Sequence, residues 1–301
     1  METAFLANHR ISTLYVKFFD VDADPMTGSP VPIATLQADS PFVDTMNIVP
    51  VVFITQAALR QMKGGEADSF ASKISTRILQ VCRNAGIKQT KEWQLDCDWT
   101  EKSRDDYFRL VDAVKKIAHR QQIKVSVTLR LYPYKYQTMM GVPPADKALL
   151  MCYNMGNLTN AATANSIIDP DEMRKYLTVG KPYPLPLDAA LPLFSWYVWF
   201  RDKTYLGLVY PGEMEGVACL TETGNKRVFT KDTTIGGRLF LKGDWLREEN
   251  AGPEQIAKAR ELIRSSLGGQ QIQRLALFHL DSLILNKYDP DALEALFGRH
   301  P

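Results

Sequence analysis

Asp96 and Asp98, two aspartates one residue apart, have the type and spacing to do acid–base chemistry. They lie in Trp93-Gln94-Leu95-Asp96-Cys97-Asp98-Trp99-Thr100, where apolar and polar residues alternate. Alternation marks an extended strand. It puts Trp93, Leu95, Cys97 and Trp99 on one face and Gln94, Asp96, Asp98 and Thr100 on the other. Like charges so close repel when buried, so at least one of the two carboxyls should titrate nearer neutrality, as a general acid or base requires. The pair also has a purely structural reading, with Asp98 or Thr100 capping the next helix and Asp96 bonded to backbone.

The neighbouring elements set where such a strand would sit. Ser103 and Asp106 have capping-box spacing, and Tyr107, Phe108, Val111, Val114 and Ile117 fall on one side of the predicted helix after them. Leu14–Phe19 reads as a first strand interrupted by Lys17 and followed by an acidic loop, Asp20 to Asp24. Ile48–Thr55 reads as a second strand covered on both faces, with Gln56 at its end. Asp68–Asn84 is a helix stopped by Gly86, and a further short strand around 87–90 is an option. Lys124–Leu131 alternates as a strand and leads into an aromatic loop, Tyr132-Pro133-Tyr134-Lys135-Tyr136. Leu149–Asn154 is a strand, Asp169-Pro170 opens a short helix, and Leu185–Phe200 is an apolar aromatic strand ending near Trp196.

From 201 to 250 the texture changes to short β-prone pieces between Gly and Asn turns, an inserted antiparallel excursion. A helix (Pro253–Ser266), a strand (Arg274–Leu280) and a last helix (Asp289–Phe297) close the chain. Seven or eight strand–helix units predict an α/β fold, a (β/α)8 TIM barrel, as a single domain over 1–301 with the β-rich insertion at 201–250. In a barrel the apolar face of 93–99 packs on helices, while Asp96 and Asp98 look inward near the C-terminal mouth, where such folds place their chemistry.

Composition excludes several classes. Net charge is +2, with 36 basic and 34 acidic residues evenly mixed, so nothing points to nucleic acid. The four cysteines are widely spaced without a Cys-x-x-Cys, which gives neither a metal signature nor a disulfide framework. No glycine fingerprint follows the first strand, and Gly268-Gly269 precedes the last strand instead of following it, so no cofactor is indicated. No apolar run approaches the roughly 20 residues of a transmembrane segment. Met1 to Ile11 lacks the order of a signal peptide, although a chain whose export signal had been removed would look the same.

In order along the chain, these pieces resemble the glycoside hydrolase family 18 (chitinase-like) barrels, in an uncharacterised bacterial branch. In that family the fourth strand reads Asp-x-Asp-x-Glu, the sixth Met-x-Tyr-Asp, and a β-rich subdomain follows the seventh. Here the counterparts are Asp96-Cys97-Asp98-Trp99-Thr100, Met151-Cys152-Tyr153-Asn154, and the insertion after Leu191-Pro192-Leu193-Phe194-Ser195-Trp196. The resemblance implies a carbohydrate ligand and an envelope or periplasmic location. It also exposes departures. Thr100 stands where the family has its proton-donating Glu, Asn154 replaces an Asp, and His279 and Asp281 replace a Trp.

Two functions follow. One is a glycoside hydrolase with rearranged groups: Asp98 as acid or stabiliser, Asp96 tuning it, Tyr153 and Asn154 bonding substrate, and Arg130 or Asp281 adding a second charge. Carboxylates on the fourth and eighth strands would then face each other at the roughly 6.5–9.5 Å of inverting enzymes. The other is a lectin-like barrel that has lost turnover and binds sugar on its aromatics, with Trp196 as a platform and Tyr134 and Tyr136 in their loop. Trp99, by alternation, faces helices. Lys17 inside the barrel needs a carboxylate partner, and Asp96 or Asp98 is expected to serve.

Overall fold

Parallel pairing of strands that the sequence separates by helices organises the chain. The computed structural model describes residues 2–39, 42, 46–62, 65–178, 181–267, 270, 272–285 and 288. The last expected helix, Asp289–Phe297, and Gly268-Gly269 lie outside the described residues. In chain order the first strands are β1 (Thr13–Ala23), β2 (Pro30–Ile33), β3 (Asn47–Ile54), β4 (Glu92–Asp96), β5 (Lys124–Arg130), β6 (Lys147–Met151) and β7 (Leu187–Pro192). Then come β8 (Ser195–Arg201), β9 (Thr204–Val209), β10 (Leu220–Thr223), β11 (Lys226–Phe229), β12 (Thr233–Ile235), β13 (Arg238–Phe240), β14 (Trp245–Asn250) and β15 (Ile272–Phe278).

An eight-stranded sheet runs in the order β15-β7-β6-β5-β4-β3-β1-β2. Its seven consecutive members from β15 to β1 are parallel, and β2 folds back antiparallel on β1. The ends of the parallel series meet through side chains: Arg274 Nη1 of β15 donates to the Tyr15 hydroxyl of β1 at 3.4 Å.

Periodicity explains the elements. Helix Ala67–Asn84 buries Phe70, Ile74, Ile78 and Val81, and helix Arg104–His119 buries Tyr107, Leu110, Val111 and Val114, each on a stripe facing the sheet. Trp93, Leu95 and Cys97 join that core from the outer face of β4, and the Tyr107 hydroxyl donates to the Leu95 carbonyl at 3.1 Å. Trp99 stacks on Tyr107, with centroids 5.3 Å apart, as its alternation required.

The floor of the barrel is polar and sealed. Glu92, Lys147 and Asp188 are almost wholly buried, and Lys147 pairs with both carboxylates, at 3.1 Å for Glu92 and more tightly for Asp188. Tyr15 donates to Asp188 at 2.8 Å, and Arg274 pairs with Glu92 at 3.1 Å. Four opposite charges cancel there.

Several sequence expectations shift. The run Leu185–Phe200 is two strands: β7 belongs to the barrel, and β8 belongs to an antiparallel sheet ordered β10-β11-β14-β8-β9. The excursion therefore begins at Ser195, because β8 finds its partners in β9 and β14. No strand forms at 87–90 among the described residues. The capping box at Ser103 does not form either; its hydroxyl accepts the Thr100 amide at 3.0 Å instead. The first strand runs on through Asp20 and Asp22, since β2 and β3 flank it on both sides.

Candidate active site at the barrel mouth

At the C-terminal ends of β1, β4 and β5 the inward side chains are acidic and polar. Asp96 is the last residue of β4 and points between its neighbours: Thr128 Oγ1 on β5 donates to Asp96 Oδ1 at 2.6 Å. Burial pushes the Asp96 carboxyl up to about 6; the Thr128 bond opposes this and the Asp98 charge adds to it, while Lys17 lowers the value and Asp20 raises it. From sequence, Asp98 is the expected acid and Asp96 its partner, raised by like-charge repulsion; the raised value falls on Asp96, with burial as its first cause.

Asp98 lies past the end of the strand, where the chain has left the ladder, and its side chain is half exposed. Arg130 Nη1 approaches it at 3.5 Å. Gln56, expected at a strand end, is instead the first residue of helix Gln56–Gln61, and its amide donates to the Asp98 carbonyl at 2.6 Å. That bond fixes the backbone just past Asp98. Thr100 is exposed and is held in a turn by Ser103.

Lys17 corrects an expectation. Its side chain is 58% exposed and pairs with Asp20 at 2.7 Å, not with Asp96 or Asp98. Lys17 still pairs in register with Val51 of β3, on the same side as Tyr15 two residues before it; the register shift that follows brings Asp20 to that side, where it takes the ammonium. Asp20, read from sequence as loop, becomes a member of the mouth cluster. Asp22 beside it is engaged elsewhere, since the Thr55 hydroxyl and the Ala23 amide hold its carboxyl below the usual range.

An aromatic wall stands beside the acids. Tyr153 packs face to face with Phe278, centroids 5.5 Å apart and planes within 10°, and edge to face with Phe194. Burial, followed by the charges of Asp96, Cys152 and Asp98, pushes the Tyr153 hydroxyl well above its ordinary range. Phe194 in turn meets Trp196 at 5.2 Å. Asn154 follows Tyr153 in a left-handed conformation (φ 54°), a position Asn tolerates, and is exposed. Phe278, 48% exposed at the end of β15, was not singled out from sequence. Its only sequence signal is its position at the end of β15.

Tyr134 is a second correction. The stretch read as an aromatic loop is a helix, Leu131–Lys135, and Tyr134 is fully buried against Tyr183 at 5.8 Å. It does not line the mouth. Tyr132 on that helix and Tyr136 just past its end are exposed, with centroids 4.6 Å apart. Asp281 sits 3.7 Å from the His279 imidazole, two residues before it. Among the described residues no group of three or more His, Cys, Asp or Glu could hold a metal ion, and no helix is long and apolar enough to cross a membrane.

No protein-family model matches the chain, and no curated protein matches it by sequence. Solved structures do. A chitinase from Chromobacterium violaceum superposes with a TM-score of 0.56 at 13% identity, over 98% of this chain and 94% of that one. The spore cortex-lytic enzyme SleL of Bacillus cereus gives 0.54 at 15% identity, over 99% of this chain and 69% of that one. A class V chitinase from Nicotiana tobaccum gives 0.55 at 11% identity, over 96% and 92%. The fold is that of the chitinase-like TIM barrels, in divergent form.

Proposed function

From the premise of a chitinase-like barrel, we propose that this chain acts on an oligo- or polysaccharide seated in its C-terminal mouth, as a glycoside hydrolase-like protein. The observation that carries this reading is Asp96: a carboxyl group bonded to Thr128 and pushed up to about 6 by burial, at the same end of the barrel as the stacked Tyr153 and Phe278 rings. Sugar faces stack on aromatic rings, and a carboxyl group protonated near neutrality can donate to a glycosidic oxygen. Asp96 is the proton carrier in this scheme. Asp98, within 3.5 Å of Arg130 and open to solvent, stabilises positive charge developing on the sugar ring. Tyr153 and Asn154 hydrogen-bond the substrate from the loop just past β6, and Trp196 extends the wall.

One observation favours a second reading, a lectin-like barrel without turnover. Thr100 occupies the place of the acid in the resembling family, and its amide and hydroxyl are engaged with Ser103. Threonine cannot protonate a leaving group. A glycan-array screen run beside hydrolysis assays on wild type, Asp96→Asn and Asp98→Asn separates the two. Turnover lost in both variants with binding retained supports the enzyme, and binding with no turnover in any form supports the lectin. Neither binding nor turnover across a broad panel rejects the carbohydrate reading.

A further inference from the structure

The inserted sheet reaches the mouth through one buried carboxylate. Glu249 of β14 lies opposite Trp196 of β8 in the antiparallel register and is 1% exposed. Its Oε2 accepts from the Trp196 indole Nε1 at 2.8 Å and from the Ser166 hydroxyl at 2.5 Å. Its Oε1 accepts from Arg247 Nε at 2.6 Å, and Arg247 is equally buried. The two outer nitrogens of that guanidinium donate to the carbonyls of Asn160 (2.8 Å) and Leu158 (3.1 Å). One ion pair therefore holds the β8 indole, Ser166 and the backbone of the loop that follows β6.

Burying two charges is expensive, and apolar residues of similar size often stabilise as well or better. What the pair supplies here is geometry. A ring held only by packing can swing about its χ2 torsion, whereas an indole donating to a fixed carboxylate cannot do so without losing a charge-assisted bond. Trp196 contacts Phe194, which meets both Tyr153 and Phe278, so its tilt is passed along the wall beside Asp96.

We propose that Glu249 is a positioning residue for glycan binding: it sets the plane of Trp196, and with Arg247 it locks the loop 156–168 to the same frame. The inference rests on the carbohydrate reading of the mouth. It assigns the insertion a part in recognition although none of its buried charges touches the sugar.

The test uses Trp196→Phe, which keeps an aromatic ring and leaves the ion pair intact but removes the N–H, beside Glu249→Gln. The probe is a chitin hexasaccharide titrated calorimetrically, with indole N–H exchange followed by NMR in the ligand-free protein. In wild type the Trp196 indole proton is expected to exchange slowly, and both variants to bind about tenfold more weakly because the ring is no longer held in its binding plane. The Trp196→Phe protein should keep its fold but unfold at a somewhat lower temperature, since Glu249 loses one donor. Should Glu249→Gln fail to fold with Arg247 unpaired, indole exchange in the wild-type protein decides, because Trp196→Phe also removes stacking surface. A fast-exchanging Trp196 indole overturns the positioning role whatever binds, as does unchanged affinity in Trp196→Phe. Wild type that ignores the hexasaccharide while its indole proton stays protected sinks the glycan part and leaves the hydrogen bond established.

Discussion

Replacing Asp96 by Asn tests the central electrostatic claim without any knowledge of the substrate. Asn has the same shape, and its carbonyl can still accept from Thr128. It removes the ionisation. In the folded protein the carboxyl titrates at about 6 against an ordinary value of 3.8. A rise of roughly two pH units, at about 1.4 kcal/mol each, makes ionised Asp96 a burden of at most about 3 kcal/mol on folding at neutral pH. The sign follows from the raised value. The protonated group favours the folded state fully below about pH 4, and that advantage disappears as pH climbs through about 6. Urea unfolding of wild type and Asp96→Asn should therefore give similar stabilities near pH 4. The variant should then gain between pH 4 and 6, to a plateau of roughly 2–3 kcal/mol above that. Stability curves that stay parallel from pH 4 to 7.5 would refute the claim, and with it Asp96 as proton carrier.

Two further substitutions probe the frame around the site. Lys147→Met leaves Glu92 and Asp188 buried with only Arg274 to offset them, and should lower stability by about 3–5 kcal/mol in urea unfolding; a change below 1 kcal/mol would mean the floor is wetter than its packing implies. Tyr134→Phe removes a buried hydroxyl that has no hydrogen-bond partner among the described residues, so stability should hold or rise by about 1 kcal/mol with saccharide binding unaltered; weakened binding would return Tyr134 to the site.

Much of the barrel was legible because buried stripes leave a period in the chain. Helix Pro253–Ser266 has the bounds its sequence implied, and Ala67–Asn84 differs by one residue at its start. The inward turn of Asp96 and the outward turn of Trp99 both followed from alternation along 93–99. The failures have physical causes too. In Leu185–Phe200 both strands are buried and apolar, so no period marks the point where β7 ends and β8 departs for another sheet. The shift in β1 that brings Asp20 to the mouth, within reach of Lys17, depends on pairing with β3, more than 30 residues further along the chain. Tyr134 and Tyr136 carry the same side chain two residues apart. Only the helix beneath them decides that one is buried and the other open.

The depth of the acid has a consequence for the choice between hydrolase and lectin. Thr100 follows Asp96 by four residues, a span of roughly 13 Å in extended chain and less here, because the chain leaves the strand at Asp96. An acid at Asp96 therefore serves only a glycosidic bond seated low in the mouth, level with Thr128 and against the Tyr153–Phe278 pair. A saccharide lodged at the rim, over Tyr132 and Tyr136, would be bound but out of reach of the proton. The two functions thus differ by the height at which one ligand sits, and the raised Asp96 value is useful only for the lower seat.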